Sequence, residues 1–570
     1  MKLLFLQLPR LDPDVASPGE NTMSAAACLG TALAASDEAP HWTVSPTPDN
    51  QNDASDAALL DSVAEAAPDV VAATCYLWNI ERTLGLLRQL KRRLPGLRAV
   101  LGGPDIALGH PLLADAANRR AVWDALVVGE GEPVFPDILR HFRTGAAPDY
   151  RGVAWRTAEG RRRDGAQPRR LRPLVELLPS ADDPANRPDA AGMAYLETSR
   201  GCPLHCAFCC YNLRRTTLSC LPPDEVRRRV RILRERGARE IRLVDPTFNA
   251  HPHFDDVIDA IARENRDRAI AFFVEIRADT LTDEQAARLA EAGVAEAEVG
   301  IQSTDPRVLA LVHRPLREDR VLRGIDALLR HGIRPTLDFM YGLPGQDADD
   351  ARRSLGWLAR FGDCIHPQFL PTLLLPGTEL RDRATELGLT AQRLPPYRVT
   401  ATDRLRPRHL AQIEAWAAET LGGFDSPTRR FVGARLPDLF PSRATLRIEA
   451  GAVTPPVSAS SNRQAVILAG PDLFGQRETL ARIIRRCVRD EPHILWQFVL
   501  APEAEEPLDL LDVLVAELRR LPDHWLDRLV SPPGGRRLAA RRLFVKTPRG
   551  AHWSAGWTDA AEALLAEHFH

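Results

Sequence analysis

Three cysteines stand close together in this chain, at a spacing that can hold metal. Cys202, Cys206 and Cys209 follow the pattern Cys-x3-Cys-x2-Cys within the stretch YLETSRGCPLHCAFCCY. Three thiolates on one tight loop can hold three corners of a four-iron, four-sulfur cluster and leave one iron open for a ligand. The alternatives are reduced core thiols or a zinc site, although zinc sites usually pair two Cys-x2-Cys units and the sequence has no second pair.

Polar residues also follow several apolar runs downstream of the cysteines. The stretches are VDPTFN, VEIRAD, GIQST and DFMYGLPGQ. Since residues two apart on a strand point the same way, Glu275 and Arg277 of VEIRAD are expected on one face. Each group taken singly is as readily explained as a buried polar side chain satisfied within the protein. Their repeated position after an apolar run indicates a shared site.

These groups need a scaffold that brings strand ends together, and residues 191–402 predict one. Six strand candidates alternate there with amphipathic segments such as PDEVRRRVRILRERG and EDRVLRGIDALLRHG. Units of this spacing predict an open, partial (β/α)6 barrel. Active sites of such barrels lie at the carboxyl ends of the strands, where the cysteines and the polar groups also fall.

Residues 1–140 show another alternation of short apolar runs and helical segments, which predicts a doubly wound, Rossmann-like parallel sheet. Three loops are expected at its carboxyl edge: TCYLWN from Thr74, GGPD from Gly102 and GEGEP from Gly129. Open α/β sheets bind ligands in the crevice at this edge. Ordinary turn glycines are the alternative explanation for the two Gly-rich loops.

The other two segments are less informative. Residues 141–190 are rich in Arg, Pro, Asp and Gly, which suits a linker. Residues 403–570 mix strand and helix patterns and predict an α+β domain.

Composition argues against two classes of partner. The 74 Lys and Arg residues balance 76 Asp and Glu residues, so nucleic acid is not indicated. No apolar stretch reaches the roughly 18 to 20 residues of a membrane span, and the N-terminal apolar run is too short for a signal peptide. We therefore expect a cytoplasmic protein without a membrane partner, in which clustered cysteines indicate metal rather than disulfides.

The motif CPLHCAFC, on a loop after the first barrel strand, resembles the radical S-adenosylmethionine (radical SAM) superfamily. The preceding domain resembles the cobalamin-binding domain of a methyltransferase-like branch of that superfamily. The resemblance covers residues 1 to about 400. It implies three cofactors, a 4Fe-4S cluster, S-adenosylmethionine and cobalamin, with Cys202, Cys206 and Cys209 as the cluster ligands.

The same resemblance implies roles for residues of the barrel. Glu275 and Tyr341 are expected to be catalytic, and Glu275 could also compete for the open iron. Phe208 is expected beside the adenine of S-adenosylmethionine. Other contacts to S-adenosylmethionine are expected from the polar residues Asp245, Thr247, Asn249, Glu275, Arg277, Gln302, Ser303 and Asp338.

Cobalamin is expected against the three loops of the first domain. The sequence departs from one well-known cobalamin-binding signature, Asp-x-His-x-x-Gly, whose histidine is an axial ligand of the cobalt. This signature is absent, because none of His41, His110 and His141 has an aspartate two positions earlier. Cobalamin is therefore expected without a histidine below the cobalt, with Leu77 and Trp78 crowding that face. The expected contacts are Thr74, Cys75, Tyr76, Leu77, Trp78, Gly102, Gly103, Pro104, Gly129, Glu130, Gly131 and Glu132.

The resemblance implies a C-methyltransferase that moves a methyl group from S-adenosylmethionine, through methylcobalamin, to a carbon of a specialised-metabolite or amino-acid-derived substrate. An external electron donor such as flavodoxin or ferredoxin is implied as a partner. Polar attack by a nucleophilic carbon stays open as the mechanism. The alternatives are a cyclase or rearrangement enzyme without methyl transfer, and a non-catalytic cobalamin or redox sensor. Residues 403–570 are interpreted as a substrate lid or, alternatively, as an oligomerisation or stabilising unit.

Overall fold

Three parallel-sheet units follow one another along the chain. They are seen in a computed structural model, which describes residues 1–14, 24–113, 122–157, 159–169, 172–211, 217–422, 430–436, 439–450, 457–531, 535–548 and 553–569. Within these residues, no helix combines the length and apolar character needed to cross a membrane.

The first unit is a seven-stranded sheet in the order β2-β1-β3-β4-β5-β6-β7. Its first five strands are parallel, as the sequence predicts. The strands are β1 (Lys2–Leu6), β2 (Thr43–Ser45), β3 (Val70–Thr74), β4 (Arg98–Gly102), β5 (Ala125–Val127), β6 (Val153–Arg156) and β7 (Arg162–Asp164).

Helices cover both faces of this sheet because its buried strands are apolar on both sides. Leu4 and Leu6 pack with one pair of helices, whereas Leu3 and Phe5 pack with the other pair. A side-chain cap starts one of these helices, where the Ser55 hydroxyl accepts a hydrogen bond from the Ala58 amide. The helices are α1 (Ser24–Ala34), α2 (Asp56–Ala66), α3 (Ile80–Arg93) and α4 (Phe135–Thr144).

The predicted linker over 141–190 contributes to this first unit. Strands β6 and β7 extend the sheet edge by antiparallel pairing with β5 and with each other. The hydrophobic pattern does not predict β7, because Arg162–Asp164 is an exposed edge strand that consists of charged residues.

The second unit is the predicted partial barrel, a six-stranded parallel sheet in the order β15-β14-β13-β12-β11-β8. A short antiparallel pair, β9 with β10, brackets the cysteine loop. The strands are β8 (Met193–Leu196), β9 (Ser199–Arg200), β10 (Ser219–Cys220), β11 (Glu240–Leu243), β12 (Ala271–Glu275), β13 (Val294–Gln302), β14 (Arg334–Tyr341) and β15 (His366–Pro371).

Alternation along these strands separates the two faces of the barrel sheet. In β13, Ala297, Val299 and Ile301 are buried in the core shared with the helices, so Glu298 and Gly300 face the concave side. The helices here are α5 (Leu174–Leu177), α6 (Pro223–Glu235), α7 (Phe254–Glu264), α8 (Asp283–Ala292), α9 (Pro306–Leu311), α10 (Glu318–Arg330), α11 (Ala348–Ala359) and α12 (Glu379–Asp382).

The barrel unit extends beyond residue 402, where the sequence predicts its end. A hairpin of β16 (Thr390–Ala391) and β17 (Val399–Ala401) leads into α13 (Pro407–Leu421). Leu410 and Ile413 of α13 are buried in the barrel core. Residues up to 421 therefore complete the barrel rather than begin the third unit.

The third unit corrects the predicted α+β domain, because its five strands are all parallel, in the order β18-β22-β21-β20-β19. The pattern was obscured because polar side chains such as Gln464, Gln497 and Arg541 are buried within the strands. The elements are β18 (Val432–Gly433), β19 (Ser442–Arg447), β20 (Arg463–Gly470), α14 (Arg477–Asp490), β21 (Leu495–Pro502), α15 (Asp509–Arg520), α16 (Trp525–Val530), β22 (Arg541–Lys546) and α17 (Ala555–Phe569).

The third unit packs against the other two. Trp78, from a predicted cobalamin loop, joins a cluster with Phe440, Trp525 and Leu526 of the C-terminal domain. Arg528 of α16 forms an ion pair with Glu81 at the start of α3. The same guanidinium donates a 2.6 Å hydrogen bond to the Pro395 carbonyl of the barrel unit. One arginine thus joins all three units.

Candidate functional site

The cysteine loop lies at the carboxyl end of β8, and its thiols are largely enclosed. Cys202 and Cys206 are each 6% exposed, while Cys209 is half-buried. The Cys202 Sγ lies 3.6 Å from the Thr247 hydroxyl, and Arg314 donates a 3.7 Å contact to the Cys206 Sγ. A guanidinium at this position can balance the negative charge of a cluster held by thiolates. The loop therefore suits an anionic cluster.

The three thiols are neighbours, but they do not surround a single metal ion. In the part of the chain that the structure describes, no three His, Cys, Asp or Glu side chains converge on a single ion. Thiolates that bind three different irons of one cluster do not need to converge in that way. Burial raises the pKa of Cys209 to about 12, and the charges of Cys210, Cys206 and Cys202 add to the effect, which shows that these thiols are neighbours.

Asp245, which the sequence predicts as a contact to S-adenosylmethionine, lies against the turn that enters the cysteine loop. Its buried carboxylate accepts hydrogen bonds from the amides of Thr198, at 2.8 Å, and Ser199, at 3.0 Å, and from the Thr198 hydroxyl. Burial raises the pKa of Asp245 to about 6 against the opposing effect of these bonds. The carboxylate holds the turn that enters the cysteine loop.

Asn249 and Arg277 form a bracket between two barrel loops. The Asn249 side chain donates to the Arg277 carbonyl at 2.8 Å and accepts from the Arg277 amide at 2.9 Å. The Arg277 guanidinium donates to both oxygens of Asp279. The hydrogen bond from Arg277 to Asp279 raises the pKa of Arg277, and the charges of Cys206 and Cys202 contribute further. Arg277 therefore lies within electrostatic range of the thiols but is held by Asp279.

An ion cluster missed in the sequence connects the GEGEP loop to the cysteine loop. Arg200, two residues before Cys202, donates a 2.8 Å hydrogen bond to Glu132 and a 2.7 Å bond to Glu197. Its guanidinium lies 3.9 Å from Glu130. Glu130 and Glu132, predicted as cobalamin contacts, therefore position the loop that carries the cysteines. The sequence contained one indication of this cluster, an arginine two positions before the first cysteine of the metal motif.

Three carboxyl groups meet on the concave face of the barrel. Glu275 pairs in register with Glu298, and Asp338 lies opposite Gly300 on the next strand. Burial raises the pKa of Glu275 to about 7, with added effects from the charges of Glu298 and Asp245. Burial, followed by the charge and hydrogen bond of Glu298, raises the pKa of Asp338 to about 9. Glu298 was missed, although its alternation with Val299 in AEAEVGIQ places it on this face.

Two predicted site residues point away from that face. The Tyr341 hydroxyl donates a 2.6 Å hydrogen bond to Glu414 of α13, and its ring stacks on Phe369. Because Asp338 and Tyr341 are three positions apart on one strand, they lie on opposite faces, and the structure gives no support to a catalytic Tyr341. Ser303 is fully buried and accepts from the Asp305 amide at 3.1 Å.

Phe208 and Gln302 lie beside the cysteine loop and the concave face, respectively. Phe208 packs against an apolar cluster that contains Leu343 of the GLPGQ loop. Gln302 has a φ of +67° at a bulge in β13, a backbone conformation that re-aims its side chain.

The predicted cobalamin loops form an open edge of the first sheet. Thr74, Tyr76, Leu77, Gly102, Pro104 and the residues Gly129, Glu130 and Gly131 are all at least partly exposed there. The Tyr76 and Trp78 rings stack at 4.4 Å. Cys75 differs, because its side chain is fully buried in the core beneath the loop. Only its backbone can line the crevice.

Gly103 explains how the first two of these loops meet. Its φ is +107°, and a Cβ atom built on it would lie 2.5 Å from the Cys75 carbonyl oxygen. Only glycine allows this approach of TCYLWN to GGPD. The crevice edge is therefore a close-packed shelf, on which a planar macrocycle could rest.

His110 follows the GGPD loop but does not offer a free ring nitrogen to the crevice. Its Nε2 lies 2.5 Å from the Tyr397 hydroxyl, and its Nδ1 accepts from the Leu112 amide at 3.1 Å. The Tyr397 hydroxyl also donates to Asp105 at 3.0 Å. These contacts use both ring nitrogens and join the crevice loop to the barrel unit.

The crevice and the barrel face each other across tyrosines. Burial and then the charge of Tyr195, on the concave side of β8, raise the pKa of Tyr76. Partial desolvation of its half-exposed ring and then the Glu275 charge raise the pKa of Tyr211, with a further effect from Tyr76. Tyr76, Tyr195 and Tyr211, here called the tyrosine group, therefore mark where the two units meet.

Two family models match the chain. The radical SAM superfamily model matches residues 196–358, and the B12 binding domain model matches residues 31–139. The first contains the cysteine loop and the carboxyl groups of the barrel, and the second contains all three crevice loops.

Two curated relatives have names that describe methyltransferases. A 2-(S-pantetheinyl)-carbapenam-3-carboxylate methyltransferase of Streptantibioticus cattleyicolor is 31% identical over 221 residues, which cover 36% of this chain and 32% of that protein. The cobalamin-dependent radical SAM methyltransferase TokK of Streptomyces tokunonensis is 23% identical over 350 residues, which cover 58% of this chain and 50% of TokK. The matched part of the chain thus spans about a third of the length of the first relative and half of the length of the second.

Two solved structures share the fold. The radical S-adenosylmethionine methyltransferase TsrM of Kitasatospora setae gives a TM-score of 0.54 at 18% identity, over 70% of this chain and 79% of TsrM. The cobalamin-dependent S-adenosylmethionine radical enzyme OxsB gives a TM-score of 0.54 at 14% identity, over 73% of this chain and 66% of OxsB.

A radical SAM domain holds a 4Fe-4S cluster and S-adenosylmethionine, and a B12-binding domain holds cobalamin. The cysteine loop lies in the segment that matches the radical SAM model, and the open crevice lies in the segment that matches the B12 binding domain model. The chain therefore contains a B12-binding domain followed by a radical SAM domain, the two domains that the sequence resemblance implies.

Proposed function

We propose that this protein is a cobalamin-dependent radical SAM C-methyltransferase, acting on a carbon of a specialised-metabolite or amino-acid-derived substrate. The observation that carries the proposal is the direct connection of the two cofactor regions, since Glu132 of the crevice loop binds Arg200 beside the first cluster cysteine. When bound, the three cofactors supply one-electron chemistry and a transferable methyl group. The names of the two curated methyltransferases support methyl transfer.

The chain's own residues would orient these groups. Cys202, Cys206 and Cys209 would hold the cluster, with Thr247 and Arg314 beside the thiols. The crevice shelf at TCYLWN and GGPD would support the corrin without a histidine ligand, because His110 is engaged elsewhere. The tyrosine group lies at the meeting of the two regions, where a substrate would be held between them.

The C-terminal domain would close this space. Its cluster with Trp78 places it directly against a crevice loop, which suits a lid that excludes water from reactive intermediates. An external electron donor, such as flavodoxin or ferredoxin, would reduce the cluster.

The test is anaerobic reconstitution of the full chain with cluster and cobalamin, followed by incubation with reductant, S-adenosylmethionine and candidate substrates. Methyl transfer predicts S-adenosylhomocysteine and a product heavier by one methylene unit. 5′-Deoxyadenosine without S-adenosylhomocysteine would instead support cyclisation or rearrangement, and no turnover would support a sensor. A triple Cys202→Ala, Cys206→Ala, Cys209→Ala variant should lose its iron and all turnover, while replacing the exposed Cys364 by Ala is the matched control.

A further inference from the structure

Two buried acceptor atoms on the concave face of the barrel, Asp338 Oδ1 and Gln302 Oε1, have no hydrogen-bond donor among the described residues. Glu275, Glu298 and Asp338 project from the neighbouring strands β12, β13 and β14. Within the described residues, the buried Asp338 Oδ1 has no hydrogen-bond partner. Carboxylates on neighbouring strands repel one another unless a proton or a cation lies between them.

Gln302 provides a second, independent sign that a ligand belongs here. Its side chain is 8% exposed, and its Oε1 is buried without a partner in the described part of the chain. The bulge in β13 folds the amide back over Gly300, where a Cβ atom would lie 2.6 Å from the Gln302 Nε2. Because Gly300 is paired with Asp338, the amide is aimed into the carboxyl cluster.

Other acidic groups on the same face are satisfied within the protein. Glu240 forms a 2.6 Å ion pair with Arg242, and Glu296 accepts a 2.7 Å hydrogen bond from Thr336. Arg314, the guanidinium whose charge reaches Asp338, donates to the Gly300 carbonyl and to the Cys206 thiol instead. Among the described residues of the six-stranded barrel sheet, the buried side-chain acceptors without a partner are thus Asp338 Oδ1 and Gln302 Oε1, toward the carboxyl ends of β14 and β13.

Aromatic surface lies on the other side of this space. Tyr195 is 43% exposed and Tyr211 is 52% exposed, although both belong to the barrel. Tyr76, stacked on Trp78, completes the tyrosine group from the crevice side. Aromatic faces attract cations and apolar groups, while carboxylates and an amide oxygen attract N–H donors.

We propose that the concave face around Glu298, Asp338 and Gln302, here called the wall, binds the protonated amine of the substrate. The apolar or aromatic body of the substrate would rest on the tyrosine group. An ammonium group has three donors, which match acceptors on Glu298, Asp338 and Gln302. This inference rests on the proposed function and names its substrate class. The amine of S-adenosylmethionine is expected elsewhere, near Thr247 and the open corner of the cysteine loop.

The test compares three probes of similar shape: 2-phenylethylamine, 2-phenylethanol and 3-phenylpropionate. Binding to the full chain, loaded with cluster, cobalamin and S-adenosylmethionine, is measured by ligand-observed NMR titration. The amine should bind about tenfold more tightly than the alcohol or the acid, as one charge-assisted hydrogen bond implies. Equal affinities for the amine and the alcohol would overturn the proposal.

Variants identify the wall. Glu298→Gln should remove about tenfold of the preference for the amine, which is the loss of one charged contact. Glu240→Gln is the matched control on the same face and should leave the preference unchanged. If Glu298→Gln instead weakened S-adenosylmethionine binding and left the amine probe unaffected, the wall would serve the cofactor and the proposal would fail. Binding is measured without turnover, so failure of the proposed methyl transfer would appear separately, as missing S-adenosylhomocysteine.

Discussion

The barrel and the C-terminal domain both bury charged side chains, but those charges meet different partners. In the C-terminal sheet, Arg541 donates to the carbonyls of Pro522, at 2.6 Å, and Pro492, at 3.3 Å. Arg542 donates a 2.8 Å hydrogen bond to Asp14. In the barrel, the main charged neighbour of Asp338 is another carboxyl group, that of Glu298.

This difference separates structural from functional burial. A buried charge that is satisfied by carbonyl groups or an opposite charge holds the fold together, and its removal leaves those partners unpaired. Like charges gathered at a cleft cost folding stability, and such an arrangement is characteristic of ligand sites. The comparison predicts that substitutions in the two regions affect different properties.

The largest effect is expected from removing the C-terminal domain after α13. A chain that ends at Gly422 should still cleave S-adenosylmethionine but lose at least tenfold in coupled methyl transfer, because the space beside Trp78 is opened to water. Product analysis by mass spectrometry would show the uncoupling, and circular dichroism would verify folding.

The comparison variant for this truncation ends at residue 402. It also lacks α13, whose Leu410 and Ile413 fill the barrel core, so it should unfold and lose both activities. Full methyl transfer by the chain that ends at Gly422 would show that the C-terminal domain is not a lid.

The next effect concerns the buried arginines of the C-terminal sheet that donate to carbonyl groups or to a carboxylate. Arg541→Met should lower the free energy of unfolding by about 2 to 3 kcal/mol, because two buried carbonyls lose a charged donor. Denaturant titration would measure this loss. S-adenosylmethionine cleavage by the folded variant should be unchanged, and a large fall in cleavage would break the proposed division between the two regions.

The opposite result is expected for Asp338→Asn, which should reduce substrate turnover but raise stability by about 1 kcal/mol above pH 8. The pKa of Asp338 is raised to about 9, so the native state holds a proton that the unfolded state releases near pH 4. The stability that this proton contributes is fully present below pH 4. It is lost progressively as the pH rises from the unfolded pKa near 4 through the folded pKa of about 9.

Thermal unfolding of the parent and of Asp338→Asn between pH 5 and pH 9.5 would check the sign. The difference in melting temperature in favour of the variant should grow with pH. A constant difference across this range would mean that Asp338 is not held protonated by its neighbours.

The smallest effect is expected at the junction between the crevice and the barrel. Tyr397→Phe removes a hydroxyl that contacts both Asp105 and His110, and should cost about 0.5 to 1 kcal/mol of stability. Because Asp105 is the last residue of the GGPD loop, cobalamin affinity should also fall a few fold. Fluorescence titration with hydroxocobalamin would measure the affinity, and an unchanged affinity would show that the junction serves stability alone.

The local sequence determined the cysteine loop and the fold class of the first two units. The spacing of Cys202, Cys206 and Cys209 requires neighbouring thiols on any loop, and the alternation of apolar runs with helices requires parallel sheets in the first two units. Charged and polar residues within strands concealed the third parallel sheet, because the buried Arg541 and Gln497 interrupt its hydrophobic pattern.

Only the tertiary structure decided which polar groups share a site. Strand geometry placed Tyr341 on the helix side and Glu298 on the concave side, although both stand in predicted barrel strands. The pairing of Arg200 with Glu132 joins residues 68 positions apart. Such contacts depend on how whole sheets pack, and this packing is set by long-range burial rather than by the residues adjacent in the chain.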